Sequence, residues 1–184
     1  MLKILQYGNP ILETKSEEVK EWNDPKIKKL IEDMLEVLEA HGDGGAGLSA
    51  PQVGVLRRVA ICRRLDLEET RDLKIKEEGK EPKFEPIWEI MINPKIVSKS
   101  EKTSTFWEGC LSINEGDLFG QVERPANVTV EFTDLEGNKK SIAAKGYFSH
   151  VVQHEIDHLN GILFLKYVDS PEHLYTSEDL ENSD

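Results

Sequence analysis

Cysteine is nearly absent from this chain: Cys62 and Cys110 are the only two in 184 residues. Two cysteines cannot build a disulfide framework, and their scarcity fits a reducing compartment. A basic cluster is also missing. Lysine and arginine total 23 against 35 aspartates and glutamates, a net charge of −12, which argues against direct contact with a nucleic-acid backbone. No apolar run is long enough for a signal peptide or a bilayer span. The expectation is a soluble cytoplasmic protein without membrane contact, and 184 residues fit a single domain, 1–184, able to bury a sizeable core.

What is present is concentrated late in the chain, in Gln153-His154-Glu155-Ile156-Asp157-His158. On a helix His154 and His158 fall one turn apart on one face, about 6 Å along the axis. Two imidazoles so placed can bind one metal ion. Glu155 is rotated about 100° from His154, so it can stand beside the metal as a proton acceptor. Incidental core histidines are the bland alternative, but two at this spacing around a glutamate favour a metal. The third ligand is less obvious. Gly161 follows as in metzincins, yet Phe164 stands where their third histidine falls, which removes that reading. Glu172, Glu178 and Glu181 are candidates by distance alone, in a short acidic tail. Upstream, Cys110 in Glu108-Gly109-Cys110-Leu111-Ser112 offers a thiolate and leaves a fourth position open for water.

The remaining elements follow from periodicity and punctuation. Asn23 or Asp24 caps a helix with Pro25 in its first turn and Ile27, Leu30, Ile31, Met34, Leu35 and Leu38 on one face, ending at Gly42. Gly44 to Gly54 is rich in glycine. Gly45, Gly47 and Ala50 formally match a dinucleotide fingerprint, but a helix precedes and Pro51 follows, so a nucleotide site is a poor fit. An extended glycine-rich edge able to pair with a peptide substrate suits the segment better. Arg58 to Cys62 reads as a strand, with Cys62 a small buried apolar residue. Residues 65–85 are dense in charge and read as an inserted loop. Ile87 to Ile92 and Lys95 to Val97 read as two strands separated by Asn93-Pro94, and Asn114 to Gly120 as a loop. Asn127 to Phe132 and Lys139 to Ala144 form a hairpin. A helix from about Gly146 to Asn160 is covered on two sides. From Ser170 on, the tail, 170–184, is acidic and expected to fray. The fold class expected is α+β: mixed or antiparallel strands wrapped around the central metal-binding helix, with the early helix packed outside.

Three separated motifs, Gly45-Ala46-Gly47-Leu48-Ser49-Ala50-Pro51-Gln52, Glu108-Gly109-Cys110-Leu111-Ser112 and Gln153-His154-Glu155-Ile156-Asp157-His158, together closely resemble the peptide deformylase family, in order and spacing from about Ile4 to Val168. The resemblance implies one catalytic domain that removes the formyl group from N-formylmethionyl nascent peptides and releases formate. It implies Cys110, His154 and His158 as metal ligands and Glu155 as general base. Gln52 and the backbone N–H of Leu111 match oxyanion stabilisers; Ala46, Gly47 and Gly109 match backbone partners of the bound peptide. Phe106, Tyr147, His150 and Val151 fall where the family builds the methionine pocket. The implied cofactor is one divalent ion, Fe(II) in the cell, with zinc, nickel or cobalt able to substitute. Bound water acidified towards a pKa of ~7 would supply the attacking hydroxide.

Departures from the family pattern are local. Asn114 stands in place of a usual proline, Glu115-Gly116-Asp117 where many members carry an arginine, and Ser49 in place of a common alanine. Arg124 matches another arginine common near the site, with a surface ion pair as its alternative role. Asp157 either orients a ligand or pairs with an arginine. Some members reach the ribosome exit region through a basic C-terminal helix, and the acidic tail here argues against that mode. Competing readings are a zinc endopeptidase with a tail glutamate as third ligand, a thiol enzyme with Cys110 as nucleophile, and a non-catalytic protein with a structural metal.

Overall fold

The computed structural model describes residues 2–77 and 85–182. Helix α1 (Pro25–His41) begins where Asp24 Oδ1 accepts from the Lys26 N–H at 2.9 Å, and it stops at Gly42, whose φ of 56° a residue with a side chain rarely adopts. Strands β1 (Gly47–Ser49) and β2 (Val59–Arg63) follow, then helix α2 (Leu65–Glu77) and a long strand β3 (Trp88–Lys99). Next come β4 (Thr103–Gly109), β5 (Phe119–Pro125), β6 (Asn127–Thr133) and β7 (Lys139–Lys145). Helix α3 (Gly146–Leu159), a two-residue strand β8 (Leu174–Tyr175) and a short helix α4 (Ser177–Glu181) complete the order.

Two antiparallel sheets result, one ordered β1-β2-β3-β6-β7 and one ordered β4-β5-β8. Alternation along β2 explains how the larger sheet is covered. Val59 and Ile61 join the α1 side with Leu30, Met34 and Leu38, while Ala60 and Cys62 join the α3 side with Val152, Ile156 and Leu159. Both faces are therefore protein-covered, and all five residues of β2 are buried. Helix α3 lies between the sheets, with 11 of its 14 residues buried. This is the expected α+β arrangement, with strands around a central helix and α1 outside. Cys62 is buried and unpaired, as a small apolar residue would be.

Four expectations change. Residues 65–77, expected as loop, form α2, while 78–84 lie outside the described residues. Lysine, arginine and glutamate are good helix formers, and Asp66 and Glu68 sit in the first turn where the helix dipole favours acids. The two strands around Asn93-Pro94 are one strand with an irregularity: Asn93 takes φ 54°, and the pairing with β6 shifts register there. Phe119 and Gly120, placed in a loop, open β5. The tail does not fray at Ser170. Leu174 and Tyr175 pair with Gly120 and Phe119, and a Thr176–Asp179 capping box starts α4.

Candidate active site

The site assembles where α3 faces the two motifs that precede it in sequence. Cys110 follows β4, and pairing of β4 with β5 turns Glu108 inward beneath α3, at 5% exposure. The Cys110 Sγ and one ring nitrogen each of His154 and His158 lie within 4.8 Å of one another, all three residues buried. Sγ is 3.2 Å from His158 Nε2. Adjacent corners of a tetrahedron built from Zn–S of ~2.3 Å and Zn–N of ~2.0 Å are roughly 3.5 Å apart, so the donors fit one divalent ion. His154 adds a second test. Its Nδ1 is 2.9 Å from Glu108 Oε2, which leaves Nε2 for the cluster, the arrangement that metal-bound imidazoles adopt.

Glu108 is the hub behind this cluster. Oε1 also meets His150 Nδ1 at 3.0 Å and Arg124 Nε at 2.6 Å, and Oε2 accepts from Arg124 Nη2 at 3.0 Å. Arg124 reaches on to Asp157 Oδ2 at 2.7 Å and covers the Tyr167 ring. Burial alone would raise the Glu108 pKa, but donors from His150, His154 and Arg124 outweigh it and hold the carboxyl far below the usual range. Arg124 is thus a buried ion-pair partner rather than a surface one, and Asp157 pairs with it. Burial presses both cluster histidines towards the neutral form. Cys110 and Glu108 overcome this at His154, whose pKa rises, whereas at His158 the neighbouring His154 adds to it and the pKa falls.

Glu155 projects on the side of α3 facing β1. Its Oε2 accepts from the Ser49 hydroxyl at 2.7 Å, and burial raises its pKa although His154 and Ser49 oppose the shift. A side chain at Gly47 would put its Cβ 2.5 Å from Glu155 Oε1, so glycine there is what lets the carboxylate sit against the strand. Gln52 is held by its own short helical turn. Its Oε1 accepts from the Ser49 N–H at 2.8 Å, and its Nε2 donates to Ser112 Oγ at 3.2 Å and faces Cys110 Sγ at 3.6 Å.

A cavity of about 510 Å³ joins these parts. Ala46, Gly47 and Gln52 line one wall, Gly109, Cys110 and Leu111 the other, and Tyr147, His150, Val151, His154 and Glu155 come from α3. Phe106 is one layer back. It packs edge-on against Tyr147 and His150, at centroid distances of 5.5 and 4.8 Å, and so supports the wall rather than forming it. His158 lies deeper still, at 1% exposure. The tail glutamates Glu172, Glu178 and Glu181 are exposed and outside the donor cluster, so the endopeptidase alternative is not favoured. Sequence reasoning missed the Ser49–Glu155 bond, the hub role of Glu108 and the presence of Leu180 in the cavity wall. Only Glu108 carried a usable signal: two residues before Cys110 on a strand, it shares a face with Phe106 and must point inward with it.

An α+β frame with a cluster of two imidazoles and a thiol at an open cavity, His154 and Cys110 bordering it and His158 behind, and a buried carboxylate beside them, fits the metallohydrolase class. Comparison with known proteins narrows that class to one family. The sequence model described as Polypeptide deformylase matches residues 1–173. The peptide deformylase of Rhizobium meliloti (strain 1021) is 41% identical over 160 residues, 87% of this chain and 80% of that protein. Among solved structures, a probable peptide deformylase from Synechococcus phage S-SSM7 superposes with a TM-score of 0.74 at 37% identity, covering 91% of this chain and 99% of the other. A peptide deformylase from Synechococcus elongatus in complex with actinonin gives 0.75 at 28% identity, covering 98% and 85%. The chain belongs to the polypeptide deformylase family, metal-dependent hydrolases of N-formyl peptides.

Proposed function

We propose that Cys110, His154 and His158 hold the metal and that Glu155, Gln52 and Leu111 perform the hydrolysis of the formyl amide. The observation that supports this most directly is that Gln52, Cys110, Leu111, His154 and Glu155 all border one cavity. A divalent ion bound there supplies acidified water and a polarised carbonyl at neutral pH. Glu155, desolvated and with a raised pKa, takes the proton from the attacking water and returns it to the departing nitrogen. The Gln52 Nε2 and the Leu111 N–H donate to the oxygen on which charge develops. Among the described residues no backbone acceptor takes that N–H, while the Leu111 carbonyl is anchored from behind by Gln6 Nε2 at 2.9 Å. Loss of one such donor costs about 3 kcal/mol of transition-state stabilisation.

Ala46, Gly47 and Gly109 hold the peptide backbone by strand-like hydrogen bonds, and Tyr147, His150 and Val151, backed by Phe106, surround the methionine side chain. A formyl group has no side chain, so a narrow site admits it and excludes bulkier acyl groups. Fe(II) is the ion proposed for the cell, with zinc, nickel or cobalt as substitutes, because softness and geometry of a His-His-Cys set suit all four. The substrates are N-formylmethionyl nascent peptides met in the cytoplasm by a single catalytic domain. Acidic Glu178, Asp179 and Glu181 on α4 disfavour docking at the ribosome exit region through a basic helix. The test is Glu155→Gln assayed anaerobically on formyl-Met peptide with metal analysis of the same sample. Formate release is expected to drop by about 10²–10⁴ while the metal stays bound; unchanged turnover would overturn the assignment.

A further inference from the structure

A second cavity, of about 650 Å³, lies on the outer face of the smaller sheet and shares two wall residues, Trp107 and Leu180, with the first. Its walls combine aromatic rings with carboxylates. Trp107 and Tyr167 are 39% and 42% exposed, and Trp107 stands edge-on to Tyr175 with centroids 5.5 Å apart. Glu123 and Asp169 supply negative charge, and His173 in the same wall pairs its Nδ1 with Asp169 Oδ1. The guanidinium of Arg124, 4.6 Å from the Tyr167 ring centroid, is already paired with Glu108 and Asp157. Aromatic faces beside Glu123, which has no ion pair among the described residues, favour a cation on a flexible stem.

The wall that joins the two cavities is built. Leu180 is carried by α4, which lies beyond the stretch matched by the family, residues 1–173. That helix is fixed to the site by the Ser177 N–H, which donates to Asp117 Oδ1 at 2.9 Å, and by β8, which extends β5. A peptide extended from the donor cluster gains about 3.3 Å per residue, so its fourth residue lies roughly 10 Å from the formyl end, and Trp107 and Leu180, which border both cavities, mark where the first adjoins the second.

We propose that the second cavity is a secondary peptide site, that it receives the substrate from about its fourth residue onward, and that it selects lysine or arginine there over acidic residues. The inference rests on the deformylase reading and adds a sequence preference to it. The test compares kcat/KM for formyl-Met-Ala-Ser-Lys-Ala and formyl-Met-Ala-Ser-Glu-Ala in the wild type and in a Glu123→Gln/Asp169→Asn variant. The lysine peptide is expected to be favoured about fivefold, through KM, and the ratio to fall towards one in the variant. A ratio near one in the wild type, or one that survives in the variant, overturns the proposal. Titration of the two unformylated peptides, followed by tryptophan fluorescence, measures the same contrast without turnover. Absence of formate from every formyl peptide therefore counts against the deformylase reading alone, and the binding contrast still decides the secondary site.

Discussion

Gly47 shows how narrowly the site is dimensioned at the level of one atom. Its backbone serves the proposed peptide edge, and its missing Cβ makes room for the Glu155 carboxylate. Gly47→Ala should push Glu155 off its position and lower kcat/KM by about 10²-fold, the usual consequence of misplacing a reacting group by about 1 Å; metal content, read by elemental analysis, should not change. Glu108 was quoted in the sequence only as a motif neighbour, and Asp157 had two roles open to it. Both belong to one buried network through Arg124. No spacing rule announces that, because the partners are 16 and 33 residues from Arg124.

Elements were legible where their signals are local. The caps of α1 and the β6–β7 hairpin are set by neighbouring residues, and they stand where expected. Asn93 misled because the pair Asn-Pro reads as a break. Its side chain instead straps β3 to the N-terminal segment: Oδ1 accepts from the Val19 N–H and Nδ2 donates to the Val19 carbonyl, each at 2.8 Å. Asn93→Gly should cost about 2 kcal/mol through those two bonds. Asn93→Ala should cost about 1 kcal/mol more, since φ there is 54°; urea denaturation measures the difference. Helix α2 has a comparable tie. Glu68, 6% exposed, accepts from Arg63 Nε and Nη2 and from the Ile87 N–H. Burial would raise its pKa, but those donors win and lower it. Stability from this carboxylate is therefore complete above the unfolded-state value of about 4.3 and fades as pH falls through the lower folded-state value. Glu68→Gln should lose about 3 kcal/mol at pH 7, and its deficit relative to the wild type should shrink on acidification below pH 4.

Across the whole molecule, the proposed ligand set ties parts that are far apart in the chain. Cys110 belongs to the smaller sheet's loop and His154 and His158 to the central helix, so an ion bound by all three joins those layers. Binding to the folded state alone stabilises it by about 2.7 kcal/mol at a free concentration 100 times Kd. Chelation is expected to lower Tm by about 5–10 °C for a chain of this size, and Cys110→Ser should abolish most of that difference; a chelator-insensitive Tm would count against the ligand set.

The sequence by itself determined the central helix, the spacing of its two histidines, the acid beside them and an α+β class with mixed or antiparallel strands. Each is a matter of periods of 3.6 or 2 read over a few neighbours. Tertiary structure decided that the Cys110 sulfur rather than a tail glutamate lies beside those imidazoles, which carboxylate orients His154, and that Leu180 of the acidic tail becomes part of the cleft wall. Cys110 is 48 residues from His158, and Leu180 reaches the cavity on a segment held by the pairing of Leu174 and Tyr175 with β5 and by the Ser177–Asp117 hydrogen bond. Such contacts depend on strand register and burial across the whole chain, which local residue preferences do not encode.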